Sequence, residues 1–176
     1  MIEKSPVFVG FEILRTAGRL SQPFVYAAMD GDRKLLAIGH GDRDEVLAYL
    51  GGQHAALAAI NASRRPNTGI VNNPNIHLDE SPFEKPKSVL NARLCDYLLQ
   101  QQGYEIDSIP AEANACPRWM QRGIDLYRRL EDFGYQPYPN EKGPRASLET
   151  WAEAVYWHLL AGTHPLPKSL EGRLQR

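Results

Sequence analysis

Cysteine is nearly absent from this chain: Cys95 and Cys116 are the only two among 176 residues. That excludes a disulfide framework, and no Cys-x-x-Cys or Cys/His spacing suited to structural zinc occurs. Both thiols are expected to act as small apolar fillers rather than nucleophiles. The five histidines, His40, His54, His77, His158 and His164, likewise lack the spacing of metal ligands. No apolar run approaches membrane-spanning length, and the N-terminus lacks the basic-then-apolar layout of a secretion signal. A cytoplasmic protein with no membrane partner is the expectation. The formal net charge is only -1, so no global basic field advertises nucleic acid and no acidic tail advertises a basic partner. Any polyanion site has to be local. Arg15 to Leu20 contains one glycine, so no Gly-rich phosphate loop follows the first apolar segment. An ATP-dependent phosphotransferase of the actin-like kind is thereby disfavoured.

What is present is an ordinary globular composition, 43% hydrophobic and 23% charged, long enough for one domain with a sizeable core. Val7 to Leu14 is an almost wholly apolar run, as expected of a strand buried on both faces, with Glu12 inside it. Either Glu12 marks where the strand leaves the core, or the strand delivers an acid to a site. Phe24 to Met29 and Arg33 to Ile38, joined through Asp30-Gly31, predict a tight hairpin with positive φ at both turn positions. Asp42 and Glu45 form a capping-box pattern that opens a helix closed by Gly51-Gly52. His54 to Ala62 is expected to be a buried parallel strand ending at Asn61, where open sheets present their chemistry.

Ser63 to Lys87 is a long loop rich in proline and asparagine, functional or disordered by its length. It brings Arg64, Arg65, Lys85 and Lys87 near the end of the Asn61 strand, where they meet phosphate or remain ordinary solvated charges. Ser88 is expected to cap a helix closed by Gly103, followed by irregular chain from Tyr104 to Ala115. Pro117 begins a longer helix whose stripe Trp119, Met120, Tyr127, Leu130 and Phe133 should be core, with Gly134 as its stop. Tyr135 to Pro144 is expected to be loop. Around Glu149 two readings stand: Ser147 caps a helix with Glu149 in its first turn, or a short strand from Ala146 to Trp151 precedes a helix starting near Ala152. Ser169 can cap a last helix, about two turns of which fit before Arg176. The chain 1–176 thus reads as a single domain cut short of its C-terminal part, and the apolar edge left open predicts self-association.

Arg93-Leu-Cys-Asp-Tyr-Leu-Leu, Trp119-Met-Gln-Arg-Gly-Ile-Asp-Leu-Tyr, Leu148-Glu-Thr-Trp-Ala-Glu-Ala and, above all, Pro165-Leu-Pro-Lys-Ser-Leu-Glu-Gly-Arg-Leu-Gln-Arg176 resemble the family catalogued as domain of unknown function 429. Its members are predicted ribonuclease H-like nucleases. The resemblance spans nearly the whole chain. The C-terminal motif is specific, whereas the N-terminal part matches in layout more than in letters. It implies an α/β fold with a mixed sheet of about five strands, three antiparallel and then parallel, with flanking helices. It also implies that Glu149 lies on a strand entering a helix.

The same resemblance implies a carboxylate cluster binding Mg2+ or Mn2+ and hydrolysing phosphodiesters. The family's first acid, usually Asp, falls on Glu12. Its second falls on Asn61, within Ile60-Asn61-Ala62-Ser63, its third on Glu149, and a further Asp lies beyond Arg176. Glutamate in place of aspartate moves a carboxylate by about 1 Å, enough to cost on the order of a hundredfold in rate. Asn61 offers a carbonyl oxygen but neither negative charge nor a base. The expectation is therefore a metal-dependent phosphodiester hydrolase with a weakened site built on Glu12, Asn61 and Glu149, with one metal or none. The alternative is a non-catalytic domain binding nucleic acid, with Arg64 and Arg65 as contacts, or a protein partner.

Overall fold

The structure, a computed structural model, describes residues 6–15, 22–67, 93–104, 106–107 and 109–159. Its central strand is β1 (Val7–Ile13), where Val9, Phe11 and Ile13 are buried while Phe8 is 40% exposed. The apolar run suggested burial on both faces; the burial instead alternates with the pleat, and only one face is core. Five further strands follow, β2 (Phe24–Met29), β3 (Leu35–Gly41), β4 (Ala56–Asn61), β5 (Gln136–Pro137) and β6 (Arg145–Glu149). They lie in the order β3-β2-β1-β4-β6-β5. β1, β2 and β3 pair antiparallel, whereas β1–β4, β4–β6 and β5–β6 are parallel. This is an α/β fold with a mixed sheet of ribonuclease H-like type. The strand beyond the expected five is β5, two residues in a stretch whose prolines suggested only loop.

Among the described residues four helices flank the sheet: α1 (Arg43–Gly51), α2 (Leu94–Gln101), α3 (Arg118–Asp132) and α4 (Ala152–Leu159). A single 3-10 turn, Ala113–Ala115, interrupts the irregular stretch before α3. The capping box of α1 is present, with Asp42 Oδ1 accepting from Glu45 N at 2.9 Å and Glu45 Oε2 accepting from Asp42 N at 2.7 Å. Gly103 and Gly134, with φ of +87° and +82°, follow α2 and α3 in the left-handed region. Glu149 ends β6, and α4 begins three residues later, so the strand-then-helix reading holds. The loop from residue 68 to 87, the Ser88 cap and the helix expected from Ser169 lie outside the described residues. No helix among the described residues is long and apolar enough to cross a membrane.

The hairpin departs from its expected form. Asp30 O accepts from Arg33 N at 3.0 Å, and the positive φ, +64°, falls on Arg33 rather than on an Asp-Gly pair. Asp30 Oδ1 instead ties the backbone N–H groups of Asp32 and Lys34, which holds a longer three-residue connection. Two other expectations fail by exposure. Phe133 is 42% exposed, and Cys95 is exposed, whereas Cys116 is a buried filler.

The core lies between the Val9, Phe11, Ala58 and Ile60 face of the sheet and two helices, α1 through Val46, Leu47 and Leu50, and α3 through Leu126, Tyr127 and Leu130. Helix α3 approaches so closely because of Gly123. A Cβ there meets Ala62 Cβ at 2.5 Å and Ile13 Cδ1 at 3.3 Å, whereas one added at Gly10 meets nothing within 4 Å. We expect Gly123→Ala to destabilise by about 1–3 kcal/mol through overpacking, and Gly10→Ala to be neutral or slightly stabilising. Urea unfolding of both variants checks the contrast.

Candidate functional site at the strand ends

Parallel pairing of β1 with β4 sets Glu12 directly beside Asn61 in register, both at the carboxyl ends of their strands. In-register neighbours share a face, so the two side chains meet: Asn61 Nδ2 donates to Glu12 Oε2 at 2.5 Å. Burial pushes the Glu12 carboxyl above its usual range. The Asn61 hydrogen bond and the Arg15 charge pull it back, and Glu153 adds to the rise. The Asn61 carbonyl oxygen is sealed from solvent with no hydrogen-bond partner among the described residues. Beside this pair the small residues Ala27, Gly10 and Ala59 stand in one row across β2, β1 and β4. They floor a cleft of about 1050 Å³, with Tyr104, Asp107, Trp151 and Tyr156 along its other sides. Arg15 stands at its border, with Nη1 2.6 Å from Asp107 Oδ2 and its guanidinium over the rings of Trp119 and Trp151, 4.7 and 5.8 Å from their centroids.

Glu149 does not join them. Its register partner on β4 is Ile60, not Asn61, so its side chain leaves from the face of Phe11 and Ile60. There it meets Arg93, whose Nη1 donates to Glu149 Oε1 at 2.6 Å and to Ser63 Oγ at 2.9 Å. The same guanidinium forks onto the buried Asp96, with Nε and Nη2 at 2.8 and 2.7 Å from its two oxygens. Burial disfavours charge on Arg93, but Asp96 and Glu149 more than offset it and hold the guanidinium firmly protonated. Next to this cluster is a smaller cavity of about 120 Å³, walled by Leu99, Ile109, Trp119 and Met120. The expected convergence of three residues thus becomes a pair on one face and a separate ionic cluster on the other.

The two arginines expected to meet nucleic acid also part company. Arg64 is built into the scaffold. Its Nη2 donates to Ser147 O and Oγ, both at 2.8 Å, its Nη1 lies 3.2 Å from Glu131, and its guanidinium sits 4.5 Å from the Tyr127 ring centroid. Only 11% of its side chain is exposed, so it is not available to a phosphate backbone. Arg65 alone of the two is exposed. Arg93 and Asp96 are the residues the sequence reading missed as site members. The signal was an Arg–Asp pair three apart at a helix start, inside a motif already singled out for its resemblance.

Mg2+ or Mn2+ fits these residues poorly. Among the described residues no three His, Cys, Asp or Glu side chains are grouped to hold a metal. Asn61 turns N–H rather than its carbonyl toward Glu12, and Glu149 faces the other way against a cation of the protein's own. No protein-family model, no curated protein and no solved structure matches this chain.

Arg64→Ala leaves Ser147 and Tyr127 without their cation, and a loss of about 2–4 kcal/mol is expected; Arg65→Ala should stay within about 0.5 kcal/mol. Denaturant midpoints compare the two. A second expectation concerns pH. Because the folded-state pKa of Glu12 is raised, the native state binds more protons than the unfolded chain, and stability falls as pH climbs above about 4.3, the unfolded glutamate value. Glu12→Gln, which keeps an acceptor for Asn61, should flatten that part of the profile when urea midpoints are followed against pH.

Proposed function

We propose that this chain is a ribonuclease H-like domain that binds a ligand at the carboxyl ends of its central strands without cleaving phosphodiesters. The observation that carries this reading is the clamp on Glu149. A carboxylate already ion-paired at 2.6 Å to Arg93, on the opposite face from Glu12, is poorly disposed to act with it on one scissile bond. Asn61 adds to the argument, since an amide in contact with Glu12 can neither take a proton as a base nor balance a cation. The cleft beside Glu12 has the size, the aromatic walls and the few polar groups of a ligand site.

The chain on this reading is a member of the family it resembles, domain of unknown function 429, with its acid set rebuilt. A cytoplasmic location belongs to the same proposal. Self-association does too, and the exposed Leu35, Leu36 and Ile38 of the edge strand β3 support it. With Arg64 committed to the scaffold, nucleic acid is a weaker partner than a small molecule or a protein segment.

The competing reading is a metal-dependent nuclease, favoured by Glu12 standing at the carboxyl end of the central strand. Labelled RNA, DNA and RNA–DNA hybrid, each with Mg2+ or Mn2+, separate the two. We expect no turnover above that of Glu12→Ala and Glu149→Ala. Metal-dependent cleavage by the wild type that both variants lose would overturn the binding reading.

A further inference from the structure

The fold family's chemistry calls for a divalent cation among the strand-end carboxylates, and the residues present answer that need in another way. Arg93 lies just before α2 and reaches Glu149 on β6, Ser63 after β4, and Asp96 one turn along its own helix. Four hydrogen bonds from one guanidinium gather two carboxylates and a hydroxyl from three separate segments. Gathering acidic oxygens from separate segments is what a hard cation does in such folds. The side chains of Arg93 and Asp96 are 20% and 9% exposed, so that pair is shielded, and Glu149, 34% exposed, meets it from the solvent side. A planar fork suits this task better than a point charge, because the parallel N–H groups of Nε and Nη2 go to Asp96 and the two N–H groups of Nη1 remain for Glu149 and Ser63.

We infer that the Arg93 guanidinium is the resident cation of this site and that, with Arg93 in place, Asp96 and Glu149 take no divalent metal. The inference deepens the binding reading and rests on it. Three features make the exchange self-consistent. A divalent ion using Glu149 comes up against a positive charge already in contact with the same carboxylate. Removing Arg93 takes from both acids the ion-pair partner they have among the described residues, a destabilised arrangement that another cation relieves. On the other face Glu12 is answered by an amide and by the charge of Arg15, so neither half of the site is left as a bare acid cluster.

The test is binding of Mn2+ alone to the full chain, read by thermal unfolding and by titration calorimetry, independent of any hydrolysis. The wild type is expected to show no Tm shift and no binding heat with millimolar Mn2+. Arg93→Ala should unfold at lower temperature without metal and recover part of the loss with Mn2+, and Glu149→Gln added to it should abolish the recovery. Arg93→Lys keeps a cation without the fork. It should fold with intermediate stability and remain indifferent to Mn2+, which keeps the test alive if Arg93→Ala does not fold. A wild-type Tm rise with Mn2+ that Glu149→Gln removes would overturn the inference. So would an Arg93→Ala protein as stable as the wild type, or an Arg93→Lys protein that binds Mn2+ as tightly as Arg93→Ala. Cleavage activity with no Mn2+ binding at Glu149 would defeat the function proposed above and leave this inference standing.

Discussion

The period-two alternation of side chains along three parallel strands governs this molecule. With β1 and β4 paired so that Glu12 faces Asn61, and β4 and β6 paired so that Ile60 faces Glu149, the faces of all three side chains are fixed. A shift of one residue in the β4–β6 register would bring Glu149 level with Asn61 and drive Ser147 out of the core. That register is held firmly. The buried Ser147 takes two hydrogen bonds from Arg64, Tyr127 donates from α3 to Leu148 O at 2.9 Å, and Thr150 N donates to Ile60 O at 3.0 Å. The division of the site into two halves is therefore a property of the core, not of two mobile side chains.

Much of the architecture was legible because it rests on local chemistry. The Asp42–Glu45 capping box, the glycines after α2 and α3, and the parallel strand ending at Asn61 all appear where the letters put them. The features that escaped are non-local. Val7 to Leu14 is apolar on both faces, yet Phe8 is exposed because nothing among the described helices of the core covers that side. Phe133 continues the helical stripe of α3 by spacing, but it falls at the helix end, where it lies across Gly51 instead of entering the core. The hairpin kept its Asp-Gly letters but spent them differently, with Asp30 bonding the backbone and Arg33 taking the left-handed position.

At the site the same division applies. Spacing and family resemblance can nominate Glu12, Asn61 and Glu149, but they cannot say which face each one leaves from, because that depends on the pairing partner. Nor can they foresee that Arg64, four positions past a buried isoleucine, turns inward to serve Ser147 some eighty residues later. Arg93 was invisible for a related reason. Its local partner, Asp96, is readable as a helical pair, but its distant partners Ser63 and Glu149 exist only in the fold.

The two halves share one electrostatic logic. Glu12 is partly withdrawn from water and Glu149 stays open to it, yet each is met by a nitrogen donor of the protein itself: the Asn61 amide at Glu12 and the Arg93 guanidinium at Glu149. Desolvating a carboxylate is costly, and the cost is met either by taking up a cation or by supplying a donor within the chain. A chain that relied on metal would keep bare acids and stay unstable until loaded; one that carries its own donors is preorganised without it. One group is left over at Asn61, whose amide nitrogen is committed to Glu12 and whose buried carbonyl oxygen has no partner among the described residues. An acid at that position would reverse the logic, setting two carboxylates against each other in a half-buried site and making a cation necessary again.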